Sequence, residues 1–448
     1  MNVLLIVIDT LRRDHLGCYG YFRDTSPNID RLAKEGVIFK DMHATAIATG
    51  PGFSSIISGL SPIHHHFYLT PWDSPNLIDF DDSIPTLPML IQKGREDYTT
   101  CAFDNLMNFA SPMDQFVRGF EYYINVDRMG KERQFVRGDR INHRLIPWLE
   151  AHREENFFLF LHYWEPHTPY NQPAEFREIF HYQGEKSLEK AIKEAPAGYK
   201  YVPGWGKMGE IVNPGGEDLS IELYDGEIRY VDHLIGEVLD TLERLDILRK
   251  SVIIITSDHG EQLGHHGSWL HDKVVESVIQ VPLIMWGPGV LPSGKVVRGY
   301  VQQADIAPTI LSILGIEQLP YFDGKNLLPL IEGKEEGRKE IIVEDHIYRC
   351  LISGDWKYIR NYFSGEEELY NLSMDPMESI NLAGKEKERL KEMRVKLNEW
   401  VRENLKGELD PMWEQMARWS AVWNARYGTD FSQFLPRPAL IKDDAKNR

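Results

Sequence analysis

Residues 251–267 read SVIIITSDHGEQLGHHG. Their first part, Val252 to Ile255, is an unbroken β-branched run, which is typical of a strand buried on both faces of a parallel sheet. Asp258 and His259 follow at its carboxyl end, where open α/β sheets hold their ligands. The two side chains can reach one divalent cation, although such pairs also occur in loops as simple hydrogen-bonding groups. The stretch therefore predicts an α/β sheet with a polar site at the end of this strand.

A second apolar run, Val3 to Ile8, ends in Asp9 and predicts another buried strand. Because the carboxyl ends of parallel strands meet at one edge of a sheet, we expect Asp9 to lie near Asp258. Thr49 begins the turn TGPG, and the residues after this turn predict the start of a helix. A helix N-terminus favours an anion, while a threonine at this place is also a common capping residue.

Together, Asp9, Thr49, Asp258 and His259 predict a site for one divalent metal ion. Two carboxylates, one imidazole and one hydroxyl suit Mn, Zn or Ca, and the residue types alone do not choose among these metals. Such an ion would lower the pKa of a coordinated hydroxyl and would offset the charge of a tetrahedral anion.

Composition limits the classes of partner. The chain has 448 residues, of which 42% are hydrophobic and 26% charged, and its formal net charge of −18 argues against nucleic acid as a partner. The three cysteines, Cys18, Cys101 and Cys350, form no CxxC pair, which predicts a reducing compartment. The first apolar run lacks the basic region of a signal peptide, and no run reaches the roughly 18 residues of a membrane span. We therefore expect a cytoplasmic protein that does not bind membranes.

The distribution of residue types along the chain predicts three regions. Residues 1–335 alternate strands and helices and form the larger domain, in which 171–217, rich in Gly, Pro, Lys and Glu, is an insertion near the site. Residues 336–405 hold short strands separated by Gly and Asp turns, and then a charged helix, which predicts a smaller α+β domain with an antiparallel sheet. The tail, 406–448, is rich in aromatic residues that must pack on the body or on a neighbouring subunit. This tail is the reason to expect a homo-oligomer.

Several ordered motifs resemble those of the sulfatase branch of the alkaline phosphatase superfamily. The chain carries VLLIVIDTLRRDHLGCYGY from residue 3, SPNIDRLAKEGVIF from residue 26, EPHTPY from residue 165 and SDHGEQLGHHG from residue 257. The resemblance covers roughly residues 2–385. It implies an alkaline-phosphatase-like sandwich of helices around a large, mostly parallel sheet, with a smaller C-terminal domain built on four antiparallel strands.

One motif departs from the pattern of that family. Sulfatases carry Cys-x-Pro-x-Arg, or Ser in place of Cys, and oxidise the first residue to formylglycine, whereas this chain has TGPGF at residues 49–53. Thr49 cannot yield the formylglycine aldehyde, Phe53 replaces the arginine, and Thr10 replaces the second N-terminal aspartate. The resemblance therefore implies a threonine nucleophile. Branches of the superfamily that act on phosphodiesters, phosphonates and phosphoglycerol groups use one.

The resemblance also implies roles for further residues. Thr49 would attack phosphorus or sulfur, and His167 would protonate the leaving oxygen or orient the substrate. Lys273 would bind the anionic group, Asn105 would contact the substrate, and His271 would assist the water that releases the product. The simpler alternatives are that His167 only ties down its loop and that Lys273 is a surface residue.

The expected function is thus that of a metal-dependent hydrolase of a small anionic ester, with a phosphodiester or phosphonate ester favoured. One alternative is a true sulfuric ester hydrolase of the arylsulfatase kind. The other is a catalytically inactive, anion-binding protein, which the loss of Asp9, Asp258 or His259 would have favoured.

Overall fold

The apolar runs predicted as strands form the centre of the computed structural model, which describes residues 1–68, 80–104, 106, 114–126, 136–180 and 221–418. In chain order the strands are β1 (Asn2–Ile8), β2 (Val37–Phe39), β3 (Met42–His43), β4 (Tyr98–Asp104), β5 (Tyr122–Asn125), β6 (Asn156–Tyr163), β7 (Ser251–Thr256), β8 (Leu283–Trp286), β9 (Lys295–Val297), β10 (Val301–Gln302), β11 (Glu340–Glu344), β12 (Tyr348–Ser353), β13 (Trp356–Asn361) and β14 (Glu367–Asn371). An eight-stranded sheet has the order β5–β4–β6–β1–β7–β8–β2–β9. In this sheet β8 runs antiparallel to β7 and β2, and the other neighbours are parallel. The prediction of a large, mostly parallel sheet is confirmed.

Strand β1 lies in the middle of the sheet, between β6 and β7. All of its residues are buried, because the sheet is covered on both faces. Leu5 and Val7 belong to the hydrophobic core on one face, and Leu4 and Ile6 to the core on the other. The alternation of side chains along a strand thus explains why a strand with two buried faces needs an unbroken apolar sequence.

Helices supply the two covering layers. The core on one face includes residues of the helices Thr49–Ser58, Leu87–Gly94 and Ile306–Ile313. The core on the other face includes residues of Pro27–Glu35, Gly138–Ala151 and Ile221–Arg244. The described ranges also contain the helices Pro62–His65, Ala174–Arg177, Glu276–Ile279, Leu328–Ile331, Lys387–Leu405 and 411–418. Within those ranges, no helix combines the length and the apolar character that crossing a membrane requires.

The C-terminal region is built on the antiparallel sheet β11–β12–β13–β14, as expected. One face of this sheet packs on the main body through a core that includes Val278 and Ile279. The helix Lys387–Leu405 covers the opposite face with Met393, Leu397 and Val401. The short strands therefore form a second layered unit. Its inner face packs on residues 274–279, which follow the turn that carries Asp258 and His259.

Two predicted regions fall only partly within the described residues. Of the insertion over 171–217, residues 171–180 are described and contain the short helix Ala174–Arg177, while 181–217 lie outside. Of the tail over 406–448, the part up to residue 418 is described. Met412 and Met416 of this part are buried against Tyr68.

Candidate active site and metal centre

Three of the predicted site residues meet at the carboxyl edge of the central sheet. Asp9 follows β1, and Asp258 and His259 follow β7, which is the parallel neighbour of β1. Each offers a ligand atom, and these atoms lie within 4.8 Å of one another. All three residues are completely buried. The topology thus brings together side chains that are 249 positions apart in the sequence.

Thr49 reaches the same place from a different element. It is the first residue of the buried helix Thr49–Ser58, and Ala48 occupies the cap position. Its Oγ1 lies 3.5 Å from Nε2 of His259. The Thr49 hydroxyl therefore lies at the site, and Thr49 is not the capping residue of the helix.

The turns that carry these residues are held by backbone and side-chain contacts. Thr10 lies in the left-handed region with φ of 53°, which is unusual for a β-branched residue, and its N–H donates to Oδ1 of Asp258 at 3.1 Å. Gln303 donates from Nε2 to the carbonyl oxygens of Ser257 and Asp258, and its Oε1 accepts from the N–H of Thr45. One glutamine therefore couples the turn after β7 to the segment that leads to Thr49.

The site has the properties of a cation site. Among the described residues, no hydrogen-bond donor reaches Oδ1 or Oδ2 of Asp9 or Oδ2 of Asp258, although all three atoms are buried. Burial and the nearby Asp258 carboxylate raise the pKa of Asp9 to about 7, because a buried carboxylate is unstable and the neighbouring histidines offset only part of this effect. Nδ1 of His259 lies 2.9 Å from the carbonyl oxygen of Gly260. A proton on Nδ1 would complete that hydrogen bond and leave a lone pair on Nε2, as a metal ligand requires. The donor set thus fits one divalent ion.

His162 and Asp104 stand behind Asp9, and the sequence pattern did not single them out. Strand β6 carries His162 between β4 and β1. Its Nε2 lies 3.5 Å from Oδ2 of Asp9, and its Nδ1 lies 3.6 Å from Oδ1 of Asp104. Burial lowers the pKa of His162, but the two carboxylates outweigh burial and raise it to about 9. In the sequence, His162 is marked only by being an imidazole within an otherwise apolar strand.

His167 and His271 line the site beside His259. The ring centroid of His271 lies 4.2 Å from that of His259 and 5.6 Å from that of His167. Nδ1 of His167 lies 2.6 Å from the carbonyl oxygen of Thr168. Burial and the nearby His271 hold the pKa of His167 well below its ordinary value, so His167 is neutral near pH 7.

Lys273 and Asn105 are not brought to the site in the same way. Lys273 is half-buried, and no hydrogen bond or ion pair within the described ranges joins it to Thr49, Asp258 or His259. Burial and the Lys273 ammonium group lower the pKa of His266, which places the lysine charge near that residue. Asn105 lies outside the described residues.

Glu261 is a third residue to which the sequence pattern assigned no role, although it belongs to the Asp-His-Gly-Glu motif. It is 1% exposed, and its Oε1 is hydrogen-bonded to Nδ1 of His271. Burial raises the pKa of Glu261 to about 8. Arg12 holds the same segment from the other side, donating to the carbonyl oxygens of Glu261 and Gln262.

Comparison with known proteins gives a consistent result over nearly the whole chain. A family model described as "Sulfatase" matches residues 1–316, and one described as "N-sulphoglucosamine sulphohydrolase, C-terminal" matches residues 264–406. A sulfatase from Formosa agariphila is 28% identical over 427 residues, which cover 85% of this chain and 83% of that protein. A choline-sulfatase from Rhizobium meliloti is 26% identical, with 85% and 82% covered.

The fold comparison agrees. A phosphonate monoester hydrolase from Silicibacter pomeroyi superposes with a TM-score of 0.72 at 20% identity, covering 91% of this chain and 96% of that one. The overlap includes both the large sheet and the C-terminal region. With the first family model covering more than two thirds of the chain, the protein belongs to the sulfatase family of hydrolases.

Proposed function

We propose that this protein is a metal-dependent hydrolase that cleaves a phosphodiester or phosphonate ester through a Thr49 nucleophile. The observation that carries the proposal is the position of the Thr49 hydroxyl, 3.5 Å from Nε2 of His259. It stands at the N-terminus of a buried helix and beside buried carboxylate oxygens that no donor in the described residues reaches. A hydroxyl next to a cation site and a helix N-terminus is suited to attack an anionic ester.

The residue type favours phosphorus over sulfur. A threonine side chain has no route to the aldehyde on which formylglycine chemistry depends. Phe53 is buried and packs edge-on against His162, with ring centroids 4.7 Å apart, so it supplies apolar packing where the family pattern has a cation. Thr49 can still attack as an alkoxide and form a covalent ester intermediate. This chemistry is suited to phosphate-type esters.

The chain's own residues then account for both steps. Oγ1 of Thr49 attacks phosphorus in line and its proton passes to solvent, while the bond to the leaving oxygen breaks and that oxygen keeps the electron pair. Asp9, Asp258 and His259 would hold the divalent ion, which when bound lowers the pKa of the Thr49 hydroxyl and offsets the charge of the ester oxygens. Water later cleaves the Thr49 ester, which restores the hydroxyl. Neutral His167 orients the substrate by accepting a hydrogen bond at Nε2.

A sulfuric ester hydrolase is the second candidate, because the relatives that match most of the chain carry the names sulfatase and choline-sulfatase. A catalytically inactive anion-binding protein is less well supported, since the complete set of Asp9, Asp258 and His259 is present and grouped. Lys273 as an anion-binding group and Asn105 as a substrate contact stay predictions.

The test is a panel of 4-nitrophenyl esters (sulfate, phosphate, phosphodiester and phosphonate) assayed with Mn, Zn and Ca. We expect the phosphodiester or the phosphonate to turn over fastest. Thr49→Ala should reduce kcat at least about 100-fold, because the covalent route is lost.

Thr49→Ser is the matched control, since it keeps the hydroxyl and removes only a methyl group. It should retain measurable turnover of the preferred ester. Undiminished activity in Thr49→Ala would remove Thr49 as the nucleophile, and a preference for the sulfate ester would move the assignment to the second candidate.

Compartment and assembly are further predictions. The three cysteines are free thiols in the structure, which supports a reducing, cytoplasmic environment. The homo-oligomer expected from the aromatic tail is checked by sizing with light scattering, and a monomeric mass would contradict it.

A further inference from the structure

Two buried glutamates outside the catalytic site hold the loop 165–172, which carries His167. Glu165 begins this loop and is 2% exposed. Glu227 lies in the helix Ile221–Arg244 and is completely buried. Among the described residues, no lysine, arginine or histidine forms an ion pair with either carboxylate. Two buried negative charges are therefore left without a direct counter-charge, which is costly in the folded protein.

Each carboxyl group has one oxygen that is satisfied and one that is not. Oε1 of Glu165 accepts from the N–H of Gly138 at 2.7 Å. Oε1 of Glu227 accepts from the N–H groups of Asn171 and Gln172 at 2.5 and 2.9 Å. Both Oε2 atoms are buried, and no hydrogen-bond partner in the described part of the chain reaches them. The backbone thus fixes each side chain through one oxygen and leaves the other available to a ligand.

The fold places the two carboxyl groups beside each other. Glu227, Tyr230 and Leu234 share one face of their helix, because they follow one another at spacings of three and four residues. Gly138 packs on this face, since a Cβ atom added to it would lie 2.5 Å from Cδ1 of Leu234. Glu165 is bonded to Gly138 and therefore lies beside the same face. Burial and the Glu165 carboxylate raise the pKa of Glu227 well above its ordinary value, in agreement with this placement.

The side-chain amide of Gln172 adds a third oxygen atom. Its Nε2 donates to the carbonyl oxygen of Leu223 at 2.9 Å. Helix carbonyls point toward the residue four positions later, so the amide lies at the level of Glu227. Its Oε1 is also buried, and no donor from the described residues reaches it. Gly226 permits this approach, because a Cβ atom there would be 2.8 Å from Nε2.

We propose that Glu165, Glu227 and Gln172 bind a calcium-type divalent cation, in addition to the ion of the catalytic site. All three ligands are oxygen atoms, as hard cations prefer, and water can complete the coordination shell. The catalytic site differs, since it includes an imidazole. The ion would join the beginning and the end of the loop 165–172 to the helix and would thereby stabilise the loop that carries His167.

The test counts the calcium ions bound per chain, by elemental analysis after chelator-treated protein has been dialysed against calcium. Glu227→Gln and Glu165→Gln should each bind one ion fewer than the wild type. Either variant keeps Oε1 and replaces one carboxyl oxygen by an amide nitrogen that can donate to the carboxylate opposite, so both should fold. The two variants are independent, and one of them decides the question if the other does not fold. Zinc binding at the catalytic site should be unchanged in both.

Glu222→Gln is the matched control in the same helix, because the Glu222 side chain is 30% exposed and pairs with Arg23 at 3.3 Å. It should bind as many calcium ions as the wild type. Hydrogen exchange gives a second readout: calcium should slow exchange at the N–H groups of Asn171 and Gln172 in the wild type but not in Glu227→Gln.

An equal number of calcium ions in the wild type, Glu165→Gln and Glu227→Gln would overturn the proposal and would show that the two carboxyl groups share a proton. An equal loss in Glu222→Gln would also contradict it, since the effect would then not depend on the proposed ligands. Neither result bears on Thr49, because ion counts and exchange rates do not depend on turnover.

Discussion

At the scale of single residues, the site is a set of buried polar atoms that a cation among them would stabilise. Asp9 has two buried oxygens that no hydrogen-bond donor in the described ranges reaches, and Asp258 has one. A carboxylate in that state costs free energy in the folded protein. His162, 3.5 Å from Asp9, offsets part of this cost from behind. The arrangement that lowers the free energy of unfolding of the metal-free protein is therefore the one that would bind a metal ion.

Asp9→Asn tests whether the carboxylate that lowers the stability of the metal-free protein is also needed for metal binding. Replacing the buried carboxylate by an amide removes a destabilising charge, so the metal-free protein should be as stable as the wild type or about 1–3 kcal/mol more stable. The rise in unfolding temperature on adding Zn, which favours a site with an imidazole ligand, should disappear, because binding to the folded state is the source of that rise. Thermal unfolding with and without Zn measures both effects. A variant that is less stable without metal and equally stabilised by it would contradict the assignment of Asp9 as a ligand.

At the scale of elements, the decisive contact is between the helix Thr49–Ser58 and the turn after β7. Gly52 lies so close to this turn that a Cβ atom would be 3.0 Å from the carbonyl oxygen of Asp258 and 3.3 Å from its Cβ. Gln303 donates to that same carbonyl oxygen and limits its freedom to move aside. The glycine therefore allows the helix to bring Thr49 against the turn that carries Asp258 and His259.

Gly52→Ala should separate the two elements by a few tenths of an ångström. The gain in helix propensity, about 1 kcal/mol, offsets part of the steric cost, so thermal stability should change little. Activity should fall about 10-fold or more, since misplacing a nucleophile by a fraction of an ångström is costly. Ser54→Ala, in the same helix, is the control, because the Ser54 hydroxyl is buried without a partner in the described residues and its loss should be harmless. Unchanged kcat in Gly52→Ala would show that this contact does not set the position of Thr49.

At the scale of the whole molecule, a buried ionic cluster ties the beginning of the C-terminal tail to the antiparallel sheet and to the main body. Arg349 on β12 is completely buried and bonds to Glu344 and, through two nitrogens, to Asp410. Glu344 also accepts from the N–H of Ile63 and the hydroxyl of Tyr68, which belong to the main body. The cluster therefore joins three regions that are distant in the sequence.

Asp410→Ala should destabilise the folded protein by about 3–5 kcal/mol, because it leaves the Arg349 guanidinium buried with one of its two carboxylate partners. Urea denaturation followed by tryptophan fluorescence measures the change. Asp375→Ala, in the turn beyond β14, is a control of the same chemical type: its carboxylate is only half-buried and accepts from the N–H of Ile380, so its loss should cost less. A loss below 1 kcal/mol in Asp410→Ala would show that the segment after residue 406 contributes little to the fold. In that case the predicted boundary of the tail would also mark the end of the stable structure.

The fold and part of the site could be predicted from local patterns, for a physical reason. A strand buried on both faces must be apolar without interruption, so β1 and β7 are visible in the sequence, and the polar residues after them mark the edge of the sheet. That rule places Asp9, Asp258 and His259 together at one edge of the sheet, and their use as metal ligands stays a prediction. The antiparallel C-terminal sheet is visible in the same way, through short strands separated by glycine and aspartate turns.

Other parts of the site depend on neighbours that no local pattern encodes. His162 has its role because β6 lies between β4 and β1, which sets its ring between two carboxylates. Glu261 matters because the segment after β7 folds back and puts His271 against it, and Lys273, two residues further on, has no contact with the metal ligands in the described chain. Periodicity reports which residues are buried and where a strand ends. The pairing of distant side chains, and with it the proton chemistry of each histidine, arises only when the sheet and its loops are assembled.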